Sequence, residues 1–340
     1  MIKEAIQALV SGKSLTMEEA SQVMGEIMEG QVTPAQFGAF VTALRLKGET
    51  VEEIAGLAKV MRAKAIQVKA NGNVVDTCGT GGDSSGTFNI STAAAFIVAG
   101  AGLKVAKHGN RAASSKCGSA DVLEGLGVKI DLTATEVEKC LEEVGIGFMF
   151  AQAFHPAMKY AGAPRREIGI RTVFNILGPL TNPAGAKFQV LGVPDGSLVE
   201  KLAQVLKSLG SQHALVVHGE DGLDEITVTA RTQVSELKDG NIKNYFISPE
   251  DFGISRASPD SLKGGTVSDC ATVQRNVLSG IWGPQRDVVL LNAAAALVAG
   301  DKAQSLKQGI KLAEESIDSS KALAKLEQLI KLTQSFPKKG

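Results

Sequence analysis

The chain of 340 residues has few aromatic side chains, with one Trp and two Tyr. Its 44% hydrophobic content comes mainly from Ala, Val, Leu and Ile, which suits helices packed tightly on a sheet. Neither sign of charge is in excess, because 36 basic and 36 acidic residues cancel. This balance removes the broad attraction that drives nonspecific binding to nucleic acids or anionic membranes, so we expect neither as a partner.

Cysteine is also scarce, and its positions are scattered. The four cysteines are Cys78, Cys117, Cys140 and Cys270. No CxxC pair and no His at metal-site spacing occur, so neither structural zinc nor a disulfide framework is indicated. The most apolar runs, Ala93–Leu103 and Val288–Ala299, are interrupted or shorter than the roughly 20 residues that cross a bilayer. With no signal-peptide pattern either, we expect a cytoplasmic protein with reduced thiols and no membrane contact.

The first seventy residues have the pattern of consecutive amphipathic helices. Thr16 and Thr50 each stand three residues before a Glu, the spacing of a capping box that begins a helix. Thr33 precedes Pro34, which suits a first helical position because proline lacks an N–H. Apolar residues recur at helical spacing after each start, and no strand pattern interrupts them.

An alternation of strands and helices follows from Asn73 onward. Val74-Val75 leads into a glycine cluster and then into an Ala-rich helix from Thr92. Further strand patterns occur at Leu103–Ala106, Val128–Ile130 and Ala214–His218. Short apolar strands separated by helices favour a mostly parallel sheet. The polar segment 228–254 predicts a small hairpin or lobe, and two amphipathic helices close the chain.

The predicted fold class is α/β, with a small N-terminal α-helical domain hinged to a large α/β domain that has a mostly parallel central sheet. Breaks at Gly178-Pro179 and Asn182-Pro183 suit a hinge or a return into the helical domain. We predict a helical domain of residues 1–70 with a returning segment at about 166–190. Residues 71–165 and 191–340 then form the α/β domain.

A glycine-rich loop, Gly79–Thr87, follows the first predicted strand. Glycines let backbone N–H groups approach a phosphate closely, so the loop favours anion binding. It is not a Walker loop, which needs Lys and then Ser or Thr after its last glycine, and Ser84 breaks the GxGxxG pattern. Nucleoside triphosphates and dinucleotides are therefore disfavoured. Read alone, the loop leaves a tight strand-to-helix turn as the alternative.

Two further polar segments suit a phosphate and its metal. Asn89–Thr92 precedes the Ala-rich helix, whose N-terminus favours a phosphate, although helix capping alone would explain Ser91 and Thr92. The adjacent carboxylates Asp224-Glu225 are ligands that suit Mg²⁺ when substrate phosphates also hold the ion. An exposed acidic turn is the alternative for this pair.

Basic residues form two more candidate sites. Lys107–Asp121 crowds cations, hydroxyls and glycines at the end of a predicted strand. A solvated basic turn is the alternative for Lys107 and Arg111, and a structural histidine is the alternative for His108. Arg165-Arg166 could bind a carboxylate through a guanidinium fork, or form a charge cluster at a helix end.

Five spaced segments together resemble the anthranilate phosphoribosyltransferase family of tryptophan biosynthesis: GTGGD at 79–83, NIST at 89–92, KHGNRAASSKCGSAD at 107–121, LGPLTNP at 177–183 and DGLDE at 221–225. The resemblance spans nearly the whole chain. It implies transfer of the phosphoribosyl group of 5-phosphoribosyl 1-diphosphate (PRPP) to the amine of anthranilate, with Mg²⁺ as cofactor. It also implies a nucleoside-phosphorylase-like fold and a homodimer formed through the helical domain.

The resemblance implies roles for individual residues. Contacts to PRPP or its metal fall on Gly79, Gly82, Asp83, Thr87, Asn89, Ser91, Thr92, Lys107 and Ser119. The magnesium ligands are Ser91, Asp224 and Glu225. Anthranilate falls near Gly79, His108, Asn110, His155, Arg165 and Pro179, with Arg165 facing its carboxylate. The catalytic set is Lys107, Asn110 and Arg165. Ala113 and Cys117 stand where we expect other small residues in some members.

Two alternatives use the same scaffold. A pyrimidine nucleoside phosphorylase would need a phosphate and a nucleobase site, and its base-binding motif is not found in the sequence. A noncatalytic relative that binds nucleic acid would have a basic surface and would lose the metal carboxylates. The zero net charge and the Asp224-Glu225 pair oppose it. The sequence leaves open whether an anthranilate synthase amidotransferase subunit associates with the chain.

Overall fold

The computed structural model describes residues 1–112 and 115–337, so Ala113 and Ser114 of the basic segment lie outside it. The α-helices of these ranges are α1 (Ile2–Val10), α2 (Met17–Met28), α3 (Pro34–Lys47), α4 (Val51–Lys64), α5 (Ile90–Gly100), α6 (Ser119–Gly125), α7 (Ala134–Glu143), α8 (Ala151–Phe154), α9 (Lys159–Ile168), α10 (Phe174–Leu177), α11 (Ser197–Ser208), α12 (Val267–Leu278), α13 (Pro284–Ala299), α14 (Leu306–Asp318) and α15 (Lys321–Ser335). The strands are β1 (Val74–Gly79), β2 (Lys104–Gly109), β3 (Ile146–Phe150), β4 (Phe188–Gly192), β5 (His213–Gly219), β6 (Thr232–Lys238) and β7 (Asn241–Ile247). Short 3-10 turns lie at Pro156–Met158, Gly178–Leu180, Pro249–Phe252 and Pro259–Leu262.

Side-chain caps begin three of the four N-terminal helices. Thr16, Thr33 and Thr50 each accept a hydrogen bond from the backbone N–H three residues on, and the side-chain oxygen at that position accepts one from the threonine's own N–H. Each such cap contributes about 1 kcal/mol to helix stability. The buried carboxylate of Glu53 joins α4 to α3, because it accepts from Lys47 Nζ at 2.9 Å. The helices predicted for this region are confirmed.

The described strands form one sheet in the order β3-β2-β1-β4-β5-β6-β7. The five strands from β3 to β5 run parallel, and β6 and β7 add an antiparallel hairpin at the edge. Both the mostly parallel sheet and the hairpin are as predicted. The strand order reverses between β1 and β4, and open α/β sheets bind ligands beyond the carboxyl ends of their strands at such a point.

The strand predicted at Val128–Ile130 is wrong. Val128 and Ile130 are buried, but the segment joins no strand of the sheet among the described residues. The N–H of Val128 donates to Leu123 O at 2.9 Å, and that of Lys129 donates to Thr333 Oγ1 at 3.1 Å. Contacts with α6 and α15 thus satisfy the backbone that a neighbouring strand would otherwise have paired.

Two hydrophobic cores cover opposite faces of the sheet. Residues of β5 alternate between them, with Leu215 and Val217 in the first and Ala214 and Val216 in the second. The first core surrounds α5, which is buried along nearly all of its length and packs on α13 and α15. The second joins α11 to helices α1–α4. Helices on both faces explain why the parallel strands are almost continuously buried.

The segment after α9 packs with the N-terminal helices. The ring of Phe174 in α10 lies 5.3 Å from the ring of Phe37 in α3, and both belong to the second core. The exact domain bounds at 70, 165 and 190 stay predictions. Within residues 1–112 and 115–337, no helix is both long and apolar enough to span a bilayer.

Candidate active site

A cleft of about 1340 Å³ opens where β1 and β2 end and extends to the loop after β5. Every site residue predicted from the sequence lines this cleft: Gly79, Gly82, Asp83, Thr87, Asn89, Ser91, Thr92, Lys107, His108, Asn110, Ser119, His155, Arg165, Pro179, Asp224 and Glu225. The fold therefore brings together segments that are more than 100 residues apart in sequence. The ligand that each residue holds stays a prediction.

The glycine loop is built around the carboxylate of Asp224. The N–H of Gly81 donates to Asp224 Oδ2 at 2.7 Å. A Cβ on Gly79 would lie 2.2 Å from the same oxygen, so a side chain at this position would displace the carboxylate. Gly82 has a φ of +76°, a left-handed conformation that favours glycine. The glycines are therefore not incidental to the turn, because their lack of side chains lets the backbone approach Asp224 closely.

Asp224 and Glu225 stand side by side at the inner end of the cleft. Glu225 is buried, and its Oε1 accepts from Ser91 N at 3.1 Å. Burial raises the pKa of both carboxyls, and repulsion adds to the rise, from Asp83 on Asp224 and from Asp224 on Glu225. The cation of Lys107 opposes the rise for Glu225 and lies with its Nζ 3.3 Å from Ser91 Oγ. The exposed acidic turn is therefore the wrong interpretation of this pair.

The first turn of α5 lines the cleft beside these carboxylates. The N-cap residue Asn89 makes no side-chain cap bond, and its Nδ2 donates to Cys117 O at 3.0 Å. Ser91 and Thr92 lie within the helix, so the alternative that they act as caps is wrong. Thr92 Oγ1 is buried and has no hydrogen-bond partner in the described part of the chain. An unpartnered hydroxyl at a helix N-terminus suits a bound anion.

His108 and His155 form a buried pair in the cleft wall, with ring centroids 5.0 Å apart. Burial lowers the pKa of His108 to about 3, helped by the adjacent imidazole, and lowers that of His155 to about 4. The rings bond to the carbonyls of Gly178 and Thr181, while no described residue bonds to either Nε2. Each neutral ring therefore carries its proton on Nδ1 and presents an Nε2 lone pair. For a fully bonded structural histidine, the described residues supply no partner to Nε2 of His108.

Arg165 of α9 stacks on an aromatic ring in the same cleft. Its guanidinium carbon lies 5.3 Å from the centroid of Phe174. Burial lowers its pKa, and the guanidinium still stays charged because its ordinary pKa is so high. Its neighbour Arg166 is exposed. Pro179 is buried, and its carbonyl accepts from Gln189 Nε2 at 2.6 Å, which anchors this part of the wall to β4.

The basic segment divides between the cleft and the surface. Lys107 is 3% exposed, so the solvated-turn alternative is wrong for this lysine. Arg111 is exposed and pairs with Asp121 at 2.9 Å, as that alternative expects. Asn110 is exposed at the cleft, and its carbonyl accepts from Ser119 Oγ at 3.2 Å.

Comparison with known families matches the chain in two parts. The a/b domain of a glycosyl transferase family matches residues 71–323, and the helical bundle domain of the same family matches residues 3–65. The chain is similar to the anthranilate phosphoribosyltransferase of Dehalococcoides mccartyi, at 59% identity over 338 residues that cover 99% of each chain. The chain belongs to the anthranilate phosphoribosyltransferase family. The resemblance of its motifs is thereby confirmed.

Solved structures of anthranilate phosphoribosyltransferases share the fold. The crystal structure from Thermus thermophilus matches with a TM-score of 0.93 and 43% identity, and the match covers 97% of this chain and 99% of that one. The structure from Saccharomyces cerevisiae in complex with PRPP and Mg has a TM-score of 0.90 and 29% identity, and the match covers 98% of both chains. The predicted fold class is confirmed.

Sequence reasoning missed two elements of this anthranilate phosphoribosyltransferase cleft. Arg171 lies between α9 and α10, and its Nη2 donates to Gly81 O at 3.0 Å. Lys263–Gly265 runs along the glycine loop, where Gly264 N donates to Gly86 O at 2.9 Å. The Gly-Gly pair after a lysine was a signal for the second element. A lone arginine in a connecting segment carries no such local signal.

Proposed function

We propose that this chain transfers the phosphoribosyl group of PRPP to the amine of anthranilate, giving N-(5-phosphoribosyl)anthranilate and diphosphate in tryptophan biosynthesis. One observation carries the proposal: the glycine loop, the first turn of α5 and the Asp224-Glu225 pair converge on one cleft. An arginine and two neutral histidines line the same cleft and suit an aromatic acid. The full-length relatives of this name support the same activity.

Magnesium fits the donor set of the cleft. Asp224, Glu225 and Ser91 offer carboxylate and hydroxyl oxygens, which Mg²⁺ prefers. The two buried carboxyls repel each other, as their raised pKa values reflect, so a divalent cation would stabilise both in charged form. Mg²⁺ held here would take its remaining ligands from water and from substrate phosphate oxygens. When bound, Mg²⁺ neutralises charge on the diphosphate.

We assign PRPP to the side of the cleft formed by the glycine loop and α5. Loop N–H groups and the unpartnered Thr92 hydroxyl would bind its phosphates. Breaking the bond between the anomeric carbon and diphosphate leaves positive charge on the ribose and negative charge on the leaving group. The buried cation of Lys107 would stabilise that negative charge. The other proposed contacts are Gly79, Gly82, Asp83, Thr87, Asn89, Ser91 and Ser119.

We assign anthranilate to the opposite side, between Arg165 and the histidine pair. The guanidinium of Arg165 would bind the carboxylate through two parallel hydrogen bonds. The Nε2 lone pairs of His108 and His155 can accept N–H groups of the amine, because both rings are neutral. Gly79, Asn110 and Pro179 complete this side. An arylamine is already neutral at pH 7, so catalysis rests on positioning and charge stabilisation rather than on a strong base.

The direct test follows the fluorescence of anthranilate, which disappears as the product forms. Purified protein should consume anthranilate only when PRPP and Mg²⁺ are both present. Absence of turnover at every magnesium concentration would sink the proposal. Phosphorolysis of uridine or thymidine by the same preparation would favour the pyrimidine nucleoside phosphorylase alternative.

We further propose that the enzyme is a cytoplasmic homodimer joined through its helical domain. Val10 and Leu46 on α1 and α3 are 71% and 83% exposed, which suits an interface on these helices. Light scattering coupled to size exclusion should give twice the chain mass.

Hinge closure would bring the amine to the anomeric carbon and exclude water. Unchanged small-angle scattering on adding both substrates would count against closure.

A further inference from the structure

Arg171 reaches from the segment between α9 and α10 to the glycine loop. Its Nη2 donates to the carbonyl of Gly81 at 3.0 Å. The residue is exposed in the cleft, so solvent or a ligand can reach the guanidinium. A guanidinium carries five N–H donors, and one bond to a neutral carbonyl leaves most of them available.

The loop is shaped to admit this side chain. A Cβ on Gly82 would lie 1.3 Å from Arg171 Nη1, so a side chain at this position would force the guanidinium to move from its place beside the loop. The same glycine residue joins the guanidinium to the carboxylate side of the loop, because Gly81 N donates to Asp224 Oδ2 at 2.7 Å while Gly81 O accepts from Arg171. The arginine therefore stands where a diphosphate on the loop N–H groups would place its negative charge.

The backbone that carries Arg171 is anchored to the N-terminal helices rather than to the sheet. Just beyond it, Thr172 N donates to Asn175 Oδ1 at 2.9 Å, and Phe174 packs on Phe37 of α3 with ring centroids 5.3 Å apart. Before it, α9 packs on α2 and α3. The contact between Arg171 and Gly81 thus crosses the cleft from the helical side to the end of β1.

We propose that Arg171 binds the diphosphate group of PRPP and of the product, exchanging its bond to the Gly81 carbonyl for phosphate oxygens. This inference rests on the proposed function. The exchange turns a neutral hydrogen bond into a charge-assisted, bidentate one, which a lysine reproduces only in part. Because the arginine belongs to the helical side, a diphosphate bound to it and to the loop N–H groups would contact both sides of the cleft. Arg171 would stabilise the charge that grows on the leaving group.

The test compares Arg171→Gln and Arg171→Lys with wild type, by calorimetric binding of diphosphate in the presence of Mg²⁺ and without anthranilate. Loss of charge-assisted bonds should raise the Kd of diphosphate roughly 10- to 100-fold in Arg171→Gln, with Arg171→Lys in between. The KM for PRPP should rise in parallel, whereas the KM for anthranilate should stay within about twofold. Arg256→Gln removes an exposed arginine outside the cleft and should change none of these values.

Wild-type affinity for diphosphate in Arg171→Gln would overturn the inference. If that variant fails to fold, Arg171→Lys decides, since an unchanged Kd in it equally contradicts bidentate binding. The two proposals fail separately. Wild type that binds diphosphate but never consumes anthranilate refutes the proposed function, while active wild type with an equally tight Arg171→Gln variant refutes only the role of Arg171.

Discussion

Replacing His108 and His155 by asparagine should reduce the decrease in the free energy of unfolding that accompanies acidification. Both imidazoles are 7% exposed, and burial holds the pKa of His108 at about 3 and that of His155 at about 4. An unfolded histidine has a pKa of about 6.5. The unfolded chain therefore takes up protons at these positions first, and the stability present above pH 6.5 falls as the pH decreases toward the folded values.

The size of the effect follows from the distance to the unfolded pKa. A pH of 5.0 is about 1.5 units below the unfolded pKa and well above both folded pKa values. Each histidine therefore lowers the free energy of unfolding by about 2 kcal/mol at pH 5.0 relative to pH 7.5. Together they account for about 4 kcal/mol. An asparagine at either position can still donate a side-chain N–H to the carbonyl of Gly178 or Thr181 but does not titrate.

Urea unfolding followed by circular dichroism at several pH values measures this difference. Between pH 7.5 and 5.0 the double variant should lose about 4 kcal/mol less than wild type, and each single variant about half of that difference. Above pH 7 the free energy of unfolding should vary with pH in the same way in wild type and double variant, which is the internal control. Equal losses in both proteins would refute the neutral, buried state of the pair. The proton resonances of the four histidines give an independent reading of each pKa.

Three further changes probe the cleft. Gly79→Ala should lower kcat/KM for PRPP on the order of 100-fold with an unchanged circular dichroism spectrum, because its Cβ would stand 2.2 Å from Asp224 Oδ2 and displace it. Asp224→Asn combined with Glu225→Gln should abolish turnover at every Mg²⁺ concentration, yet leave the thermal midpoint of the metal-free protein equal or higher, because mutual repulsion is removed. Arg165→Lys should raise the KM for anthranilate roughly 10-fold and leave that for PRPP unchanged, because the planar fork is lost. A parallel rise in both KM values would contradict that assignment.

The helices at the start of the chain could be read from the sequence because their signals are local. The capping boxes at Thr16 and Thr50 each lie within four residues, and the structure forms both. The glycine loop after β1 could also be predicted from the sequence, because a run of glycines shows directly where side chains are absent. The family could be identified in the same way, since each of its five motifs is a contiguous run of residues.

Tertiary structure decided which of these pieces meet. Nothing local joins Gly81 to Asp224, which lies 143 residues away, and only the parallel sheet brings their loops to the same edge. The segment Val128–Ile130 has the apolar pattern of a strand, but packing against α15 determined its structure instead. Sequence therefore determined the elements whose signals are local, and the chemistry that they carry. The tertiary fold determined the contacts between them, including that of Arg171 with the glycine loop. These contacts join segments far apart in the sequence, and no local sequence pattern indicates which distant segments will meet.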